Sequence, residues 1–170
     1  MVGKRHKNRH HRNSPIFQHL GEEPVFRQYA LDMQNCAVSW RGYQVGGSGV
    51  GVTKDGRYIP LSGFNTKAAP GPRRPGDLCA EMRMIKEAED KHCVAILEMW
   101  MAQPPQPDDF TKLDFGVAVS CGHCRLNYKK KLRNPASPLR RDTRLNFIDS
   151  TNPSNTRPFT VEQLLRVCSK

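Results

Sequence analysis

Strand-like and helix-like segments alternate along the later part of this 170-residue sequence, after an initial β-hairpin. The hairpin is predicted over residues 43–65, where Lys54-Asp55-Gly56 joins two short runs and Asp-Gly supplies the positive backbone dihedrals of a tight turn. Buried strands are then predicted at residues 92–101 and 114–121, and another strand at residues 143–150. Helices are predicted to begin near Asp77, Gly122 and Thr160.

This order of elements favours an α/β fold. We expect a three-layer α-β-α sandwich, in which helices cover both faces of a mixed, roughly five-stranded sheet. A further amphipathic helix is predicted before the hairpin, in residues 23–40. Its apolar positions near helical spacing are Val25, Phe26, Tyr29, Met33 and Cys36.

The length of the chain suits one domain with its own core. Residues 1–14 are basic and offer almost nothing to bury, so they are expected to be a disordered tail, with residues 15–170 forming the single domain. No window approaches the roughly 18 apolar residues that span a bilayer, and no apolar signal-peptide core follows the basic start. A cytoplasmic protein without a membrane partner is expected.

The formal net charge of +11 is concentrated in the tail and in a second basic group in residues 129–144. Clustered lysine and arginine side chains gain free energy from counterion release when they meet phosphates, so a nucleic-acid partner is one interpretation. Solvated surface charge is the more common meaning of such runs.

Cysteine spacing gives the first indication of chemistry. The sequence contains six cysteines. In a cytoplasmic protein, cysteines are more often used for thiol chemistry or metal binding than for disulfide bonds. Cys121 and Cys124 form a Cys-x-x-Cys pair at the start of one predicted helix, and Cys79 opens another. A helix N-terminus favours thiolate over thiol, and thiolates bind soft metals. Three such ligands would leave one position of a tetrahedral zinc ion open, as in catalytic sites.

Glu81 follows Cys79 by two residues in the first helical turn. There a carboxylate could reach the same metal without ligating it and exchange a proton with a bound water. An acidic residue is also common in a first helical turn simply because it interacts favourably with the helix dipole. A lone Cys-x-x-Cys pair is equally compatible with a redox pair or a structural zinc.

Four segments in order resemble the cytidine deaminase superfamily, and in particular its small nucleoside branch with a three-cysteine zinc site, which includes cytidine deaminase and blasticidin-S deaminase. They are "KDGRYIPLSGFN", "LCAEMRMI", "SCGHCR" and "FTVEQLL", and the resemblance runs from about Tyr43 to the C-terminus. The cysteine and glutamate arrangement is the known signature of the zinc deaminases.

The resemblance implies a zinc-dependent hydrolytic deaminase that acts on a cytosine-like or related aminated ring of a nucleoside, nucleotide or analogue and releases ammonia. It implies zinc ligands at Cys79, Cys121 and Cys124, with a water completing the site, and Glu81 as the proton carrier. It also implies that Asn65 binds the sugar and that the backbone around Ala80 and Ser120 holds the ring. Arg125 would offset the charge of the thiolates.

One departure concerns the substrate. Lys67 stands where the cytidine enzymes have a glutamate that holds a ribose hydroxyl, and a charged lysine cannot accept that hydrogen bond. A substrate carrying phosphate or carboxylate would suit Lys67 better, and Arg73 and Arg74 in the same proline-rich loop favour it.

Two other functions remain open at this point. One is a deaminase of single-stranded DNA or RNA, and the other is an inactive, nucleic-acid-binding protein with a structural zinc. A small-molecule, nucleoside-like substrate is the partner we expect. By resemblance, the chain would assemble as a homo-oligomer, either a tetramer or a dimer.

Overall fold

The structure is a computed structural model and describes residues 23–39, 42–67, 69–73, 76–105 and 119–169. The predicted tail at residues 1–14 lies outside the described residues, as do Arg74 and most of the predicted strand at residues 114–121.

One mixed sheet of five strands forms the centre of the described fold. Its strand order is β2-β1-β3-β4-β5. β3 and β4 run parallel, whereas each of the other neighbouring pairs is antiparallel. The strands are β1 Gly46–Thr53, β2 Tyr58–Phe64, β3 Cys93–Gln103, β4 Arg144–Asp149 and β5 Thr156–Thr160.

Helices cover both faces of this sheet. The first helix contributes to a core cluster with Val50 and Trp100 on one face, and the other three helices contribute to a larger cluster around Met99 and Phe147 on the other. The helices are α1 Glu23–Gln34, α2 Ala80–Asp90, α3 Gly122–Arg133 and α4 Val161–Val167. The predicted three-layer sandwich with a mixed five-stranded sheet is therefore confirmed.

The hairpin and the closing helix follow their sequence signals closely. β1 and β2 join at the predicted turn, where Gly56 has a φ of 83° and donates its backbone N–H to the Thr53 carbonyl. Thr160 caps α4 by accepting from the Gln163 backbone, while the Gln163 side chain accepts from the Thr160 backbone. This reciprocal capping box fixes the start of α4.

The sequence did not reveal the fifth strand. The strand predicted at residues 114–121 is described only at Val119, Ser120 and Cys121, which are irregular. The fifth strand of the described sheet is β5, which lies at its edge. An edge strand tolerates proline and partial exposure, and β5 contains Pro158 and no fully buried residue. The pattern of a buried strand is therefore absent from it.

α1 forms where it is predicted, but only some of its predicted apolar positions are buried. Phe26 and Ala30, four positions apart, face the sheet, whereas Val25 and Tyr29 are exposed and the helix ends before Cys36. The Phe26 ring stacks on Trp100 of β3 with 6.1 Å between ring centroids. Contact with this large ring sets the rotation of the helix, which spacing alone could not define.

α2 packs closely against β2 at Gly63. A Cβ at Gly63 would lie 2.2 Å from the carbonyl oxygen of Ala80, the first residue of α2. Of the helix residues predicted to pack on the sheet, Ile85 and Ala88 are buried and Met82 is half-buried. The missing side chain at Gly63 therefore lets the start of α2 approach the sheet.

We expect Gly63→Ala to destabilise the protein by about 3 kcal/mol, because a Cβ there would meet backbone that cannot move independently of the helix. Gly47 pairs with Gly63 in the sheet and provides the matched control. A Cβ at Gly47 comes closest to the end of the Met84 side chain, which can rotate away. Urea unfolding should show the larger loss for Gly63→Ala, and equal losses would contradict this packing.

None of the helices in the described part of the chain combines the length and the apolar character needed to cross a bilayer.

Candidate metal centre

Three cysteine sulfurs meet where two helices begin. Cys79 is the N-cap of α2, Cys121 is the N-cap of α3, and Cys124 lies in the first turn of α3. Their Sγ atoms all lie within 4.8 Å of one another, and 3.9 Å separates those of Cys79 and Cys121. Cys79 and Cys124 are buried and Cys121 is exposed. The structure thus brings together the three predicted ligands.

The donor set fits a zinc ion. A tetrahedral zinc with Zn–S bonds of about 2.3 Å requires sulfurs roughly 3.8 Å apart, close to the Cys79–Cys121 separation. Among the described residues, no fourth His, Cys, Asp or Glu belongs to the cluster. A catalytic zinc ion typically has three protein ligands and a fourth coordination position that is free for a non-protein ligand. Three thiolates would give this arrangement.

Cys121 is the thiol that ionises most readily. Hydrogen bonds from Cys124 and then Cys79 lower the pKa of Cys121 to about 2. The same hydrogen bonds to Cys121 raise the pKa of Cys79 and of Cys124. Without a metal the cluster therefore holds one negative charge and resists a second, and a divalent cation would relieve that repulsion.

Arg73 is the cation that contacts the thiols. Its Nη2 donates to the Sγ of Cys79 at 3.1 Å, and its Nη1 donates to the Asp77 carbonyl at 3.2 Å. Partial burial acts to lower the pKa of Arg73, but the charge of Cys79 and the hydrogen bond to its sulfur raise it above the usual value. Three thiolates on a divalent ion leave a negative charge, which this guanidinium is placed to offset.

Arg125, the arginine predicted for that role, follows Cys124 directly on α3. Its side chain lines a surface pocket of about 260 Å³ with Leu165 and Cys168. Its guanidinium is close to Gly122, where an added Cβ would lie 3.8 Å from Nη2. A charge-balancing role for Arg125 stays a prediction.

Arg73→Ala should lower the zinc affinity about tenfold, because polar partners of metal ligands typically contribute 10- to 100-fold to metal affinity. Arg125→Ala tests the arginine predicted from the sequence, and the smaller loss is expected from it because the hydrogen bond to a thiol is made by Arg73. Competition with a chromogenic chelator measures both values. The reverse order of effects would assign the charge-balancing role to Arg125.

Glu81 is buried beside the cluster, with 3% of its surface exposed. Burial, and then the negative charge on Cys121, raise the pKa of Glu81 to about 7. Hydrogen bonds from the Ser120 and Cys124 side chains oppose the shift. A carboxyl group that titrates near neutrality can both accept and donate a proton, as a general acid–base catalyst must.

The residues predicted to hold the substrate include Ala80, Ser120 and Asn65. Ala80 is fully buried at the start of α2, and Ser120 is buried immediately before Cys121. The Asn65 carboxamide accepts from the Val45 N–H at 2.8 Å and donates to the Tyr43 carbonyl at 2.8 Å. Asn65 therefore secures the end of the hairpin and retains one further donor and acceptor position.

Lys67 and Arg73 belong to one loop between β2 and α2. The Nζ of Lys67 donates to the Gly71 carbonyl within this loop. Thr66 closes the base of the loop, where its hydroxyl donates to the Gly76 carbonyl at 2.7 Å. The predicted cationic loop thus begins at the end of β2 and reaches the thiols through Arg73.

Tyr128 is a buried residue near the site that the sequence alone did not identify. It is completely buried, and its hydroxyl lies 3.0 Å from the Ser120 hydroxyl. Tyr128 follows Cys124 by four residues on α3, so the two share a helix face. That spacing is a signal that could have placed Tyr128 near the site.

The fold resembles solved structures of cytidine deaminases. A cytidine deaminase from Burkholderia pseudomallei matches with a TM-score of 0.56 and 14% sequence identity, over 84% of this chain and 95% of that one. A mutant cytidine deaminase from Mycobacterium tuberculosis matches with a TM-score of 0.50 and 18% identity, over 85% and 94% of the two chains.

Sequence comparison alone gives no such match: neither a protein-family model nor a curated protein matches this chain. The likeness to the solved structures covers nearly the whole length of those chains and has the same mixed α/β architecture. The chain therefore has the fold of the cytidine deaminases.

Proposed function

We propose that this chain is a zinc-dependent hydrolytic deaminase. Its substrate would be a cytosine-like or related aminated ring of a nucleoside, nucleotide or analogue. The observation that carries the proposal is the convergence of three cysteine sulfurs and the buried carboxyl group of Glu81 at the start of α2 and α3.

Cys79, Cys121 and Cys124 would hold the metal. Zinc bound there supplies Lewis acidity, which lowers the pKa of a water at its open position. The buried helix start fixes Cys79 and Glu81 relative to each other, because Cys79 is the N-cap of α2 and Glu81 lies in its first turn. One helix end therefore places both the ligand and the proton carrier.

Glu81 would transfer protons in two directions. Its carboxylate takes a proton from the attacking water, and the protonated form gives one up as the amine leaves. The balance is that water adds at the amine-bearing carbon, the C–N bond breaks, and ammonia departs. Burial raises the pKa of Glu81, which favours the protonated form that the second step needs.

The loop between β2 and α2 supports a substrate with a negative group. Of the described cations in this loop, Arg73 contacts Cys79, whereas Lys67 uses one of its three donors on the Gly71 carbonyl. Lys67 would use its other donors to receive a phosphate or carboxylate. Asn65 would use its remaining hydrogen-bonding positions on a sugar hydroxyl. The backbone around Ala80 and Ser120 would hold the ring beside Glu81.

Ammonia release from a panel of compounds tests this proposal. The panel contains cytosine, cytidine, deoxycytidine, their monophosphates and aminated purine analogues, with zinc-loaded Glu81→Gln protein as the blank. We expect release from at least one pyrimidine, with the phosphorylated form preferred. A zinc-loaded wild type that is inert across the panel would contradict the proposal.

A polynucleotide substrate is a second candidate because one face of α3 is strongly basic. Lys129, Lys130 and Arg133 are all exposed there. Single-stranded DNA and RNA containing cytosine therefore belong in the same panel. Preference for them over mononucleotides, reduced by raised salt, would favour this candidate.

We also propose a homo-oligomer, either a tetramer or a dimer. Light scattering on the zinc-loaded protein gives its mass directly. A mass of one 19.3 kDa chain at all working concentrations would contradict it.

A further inference from the structure

Two buried hydroxyl groups lie beside the candidate proton carrier. Ser120 has 1% of its surface exposed and Tyr128 has none, and their oxygens are 3.0 Å apart. Ser120 comes from the segment before α3, and Tyr128 lies in the middle of that helix. Buried hydroxyls lose their hydration, so they remain in a core when they have hydrogen-bond partners.

The pair lies next to Glu81. A hydrogen bond from the Ser120 side chain acts to lower the pKa of Glu81, and burial and then the charge of Glu81 raise the pKa of Tyr128. Glu81, Ser120 and Tyr128 thus form a row of three buried polar side chains that starts at the candidate metal centre and ends inside the core.

The numbers of donors and acceptors in this row determine which group donates to which. A serine hydroxyl has one proton and two acceptor positions, and an ionised carboxylate can only accept. If Ser120 donates to Glu81, its oxygen is free to accept the proton of Tyr128. Every donor in the row is then used, and the order of donation runs from Tyr128 through Ser120 to Glu81.

We propose that Ser120 and Tyr128 are positioning residues for Glu81. They hold one side of its carboxylate so that the other remains directed at the substrate and water. Two neutral hydroxyls can do this without adding a positive charge that would weaken the base. This inference rests on the proposed deaminase function, in which Glu81 moves the protons.

The orientation matters because proton transfer requires hydrogen-bond distances. A base must lie about 2.6–3.2 Å from the proton-bearing atom, and a small displacement is costly in rate. A glutamate side chain has three rotatable bonds, so burial alone does not select one orientation. The Ser120 hydroxyl supplies a directional contact, and Tyr128 fixes the direction of that hydroxyl.

Tyr128→Phe and Ser120→Ala test the proposal because each removes a hydroxyl and little else. We expect each variant to lower kcat about tenfold with KM nearly unchanged, the loss typical of one hydrogen bond to a charged group. The double variant should lose little more than Ser120→Ala, because the Tyr128 hydroxyl acts through Ser120. Tyr58→Phe is the control, because Tyr58 is buried in the core cluster on the opposite face.

A nuclear magnetic resonance measurement does not depend on turnover. In zinc-loaded protein, the Tyr128 hydroxyl proton should exchange slowly with water, and Glu81→Gln and Ser120→Ala should both shift its resonance. Failure of Glu81→Gln to shift it would overturn the proposed link.

The kinetic outcomes separate this proposal from the function on which it rests. An active wild type whose kcat is unchanged in Tyr128→Phe and Ser120→Ala would overturn the positioning role alone. A zinc-loaded wild type that releases no ammonia from any compound would overturn the proposed function and this role with it.

Discussion

Glu81→Gln should leave zinc binding intact and slow ammonia release by at least about a thousandfold, within the range expected for a general acid–base group. Glutamine has nearly the same size as glutamate, so the first turn of α2 should keep its packing. It cannot accept and return a proton, however, and both proton transfers of the proposed reaction use that carboxyl group. Zinc content and ammonia release from the same preparation measure the two effects together.

Glu89→Gln is the matched control for this substitution. Glu89 lies on the same helix and forms an ion pair with Lys131 rather than facing the cysteines. The kcat of Glu89→Gln should stay within about twofold of wild type, because a partly exposed ion pair contributes little. Wild-type turnover in Glu81→Gln would exclude Glu81 as the proton carrier.

Cys124→Ala should abolish stable zinc binding and, with it, ammonia release. Cys124 is completely buried, and no other described side chain is placed to replace its sulfur in the cluster. Two remaining thiolates make a much weaker site. Loss of a residue that only hydrogen bonds to a metal ligand lowers metal affinity by up to roughly a hundredfold, and we expect a larger fall when a ligand itself is lost. Zinc per chain after dialysis against a weak chelator measures the loss.

Cys93→Ala provides the comparison for the loss of a buried thiol. Cys93 lies in β3, is buried as Cys124 is, and does not belong to the cluster. The variant should retain about one zinc per chain, as a single site requires. Equal zinc loss in both variants would indicate an effect of general destabilisation rather than of ligation.

The fold could be predicted because its main signals are local in the chain. The Asp-Gly turn defines the hairpin, and Thr160 defines the start of α4. β5 has no such signal, because an edge strand does not need an alternating apolar pattern. The rotation of α1 depends on Phe26 meeting Trp100, a contact between residues far apart in the sequence.

The candidate site also combines features that the sequence indicates with contacts that only the structure shows. Short spacings define two pairs, Cys79 with Glu81 and Cys121 with Cys124. The two pairs lie about 40 residues apart in the sequence, so the resemblance to the zinc deaminases was needed to group them before the structure was known. The contact of Arg73 with Cys79 depends on the path of a proline-rich loop, which spacing does not define. The Ser120–Tyr128 contact depends on how the segment before α3 meets that helix.

The central claim is that three thiolates hold a zinc ion with one open position beside Glu81. X-ray absorption at the zinc edge of the metal-loaded protein tests it most directly. We predict three sulfur atoms at about 2.3 Å and one oxygen atom at about 2.0–2.2 Å. A zinc ion with four sulfur or nitrogen ligands from the protein, leaving no open position, would contradict the claim and indicate a structural site.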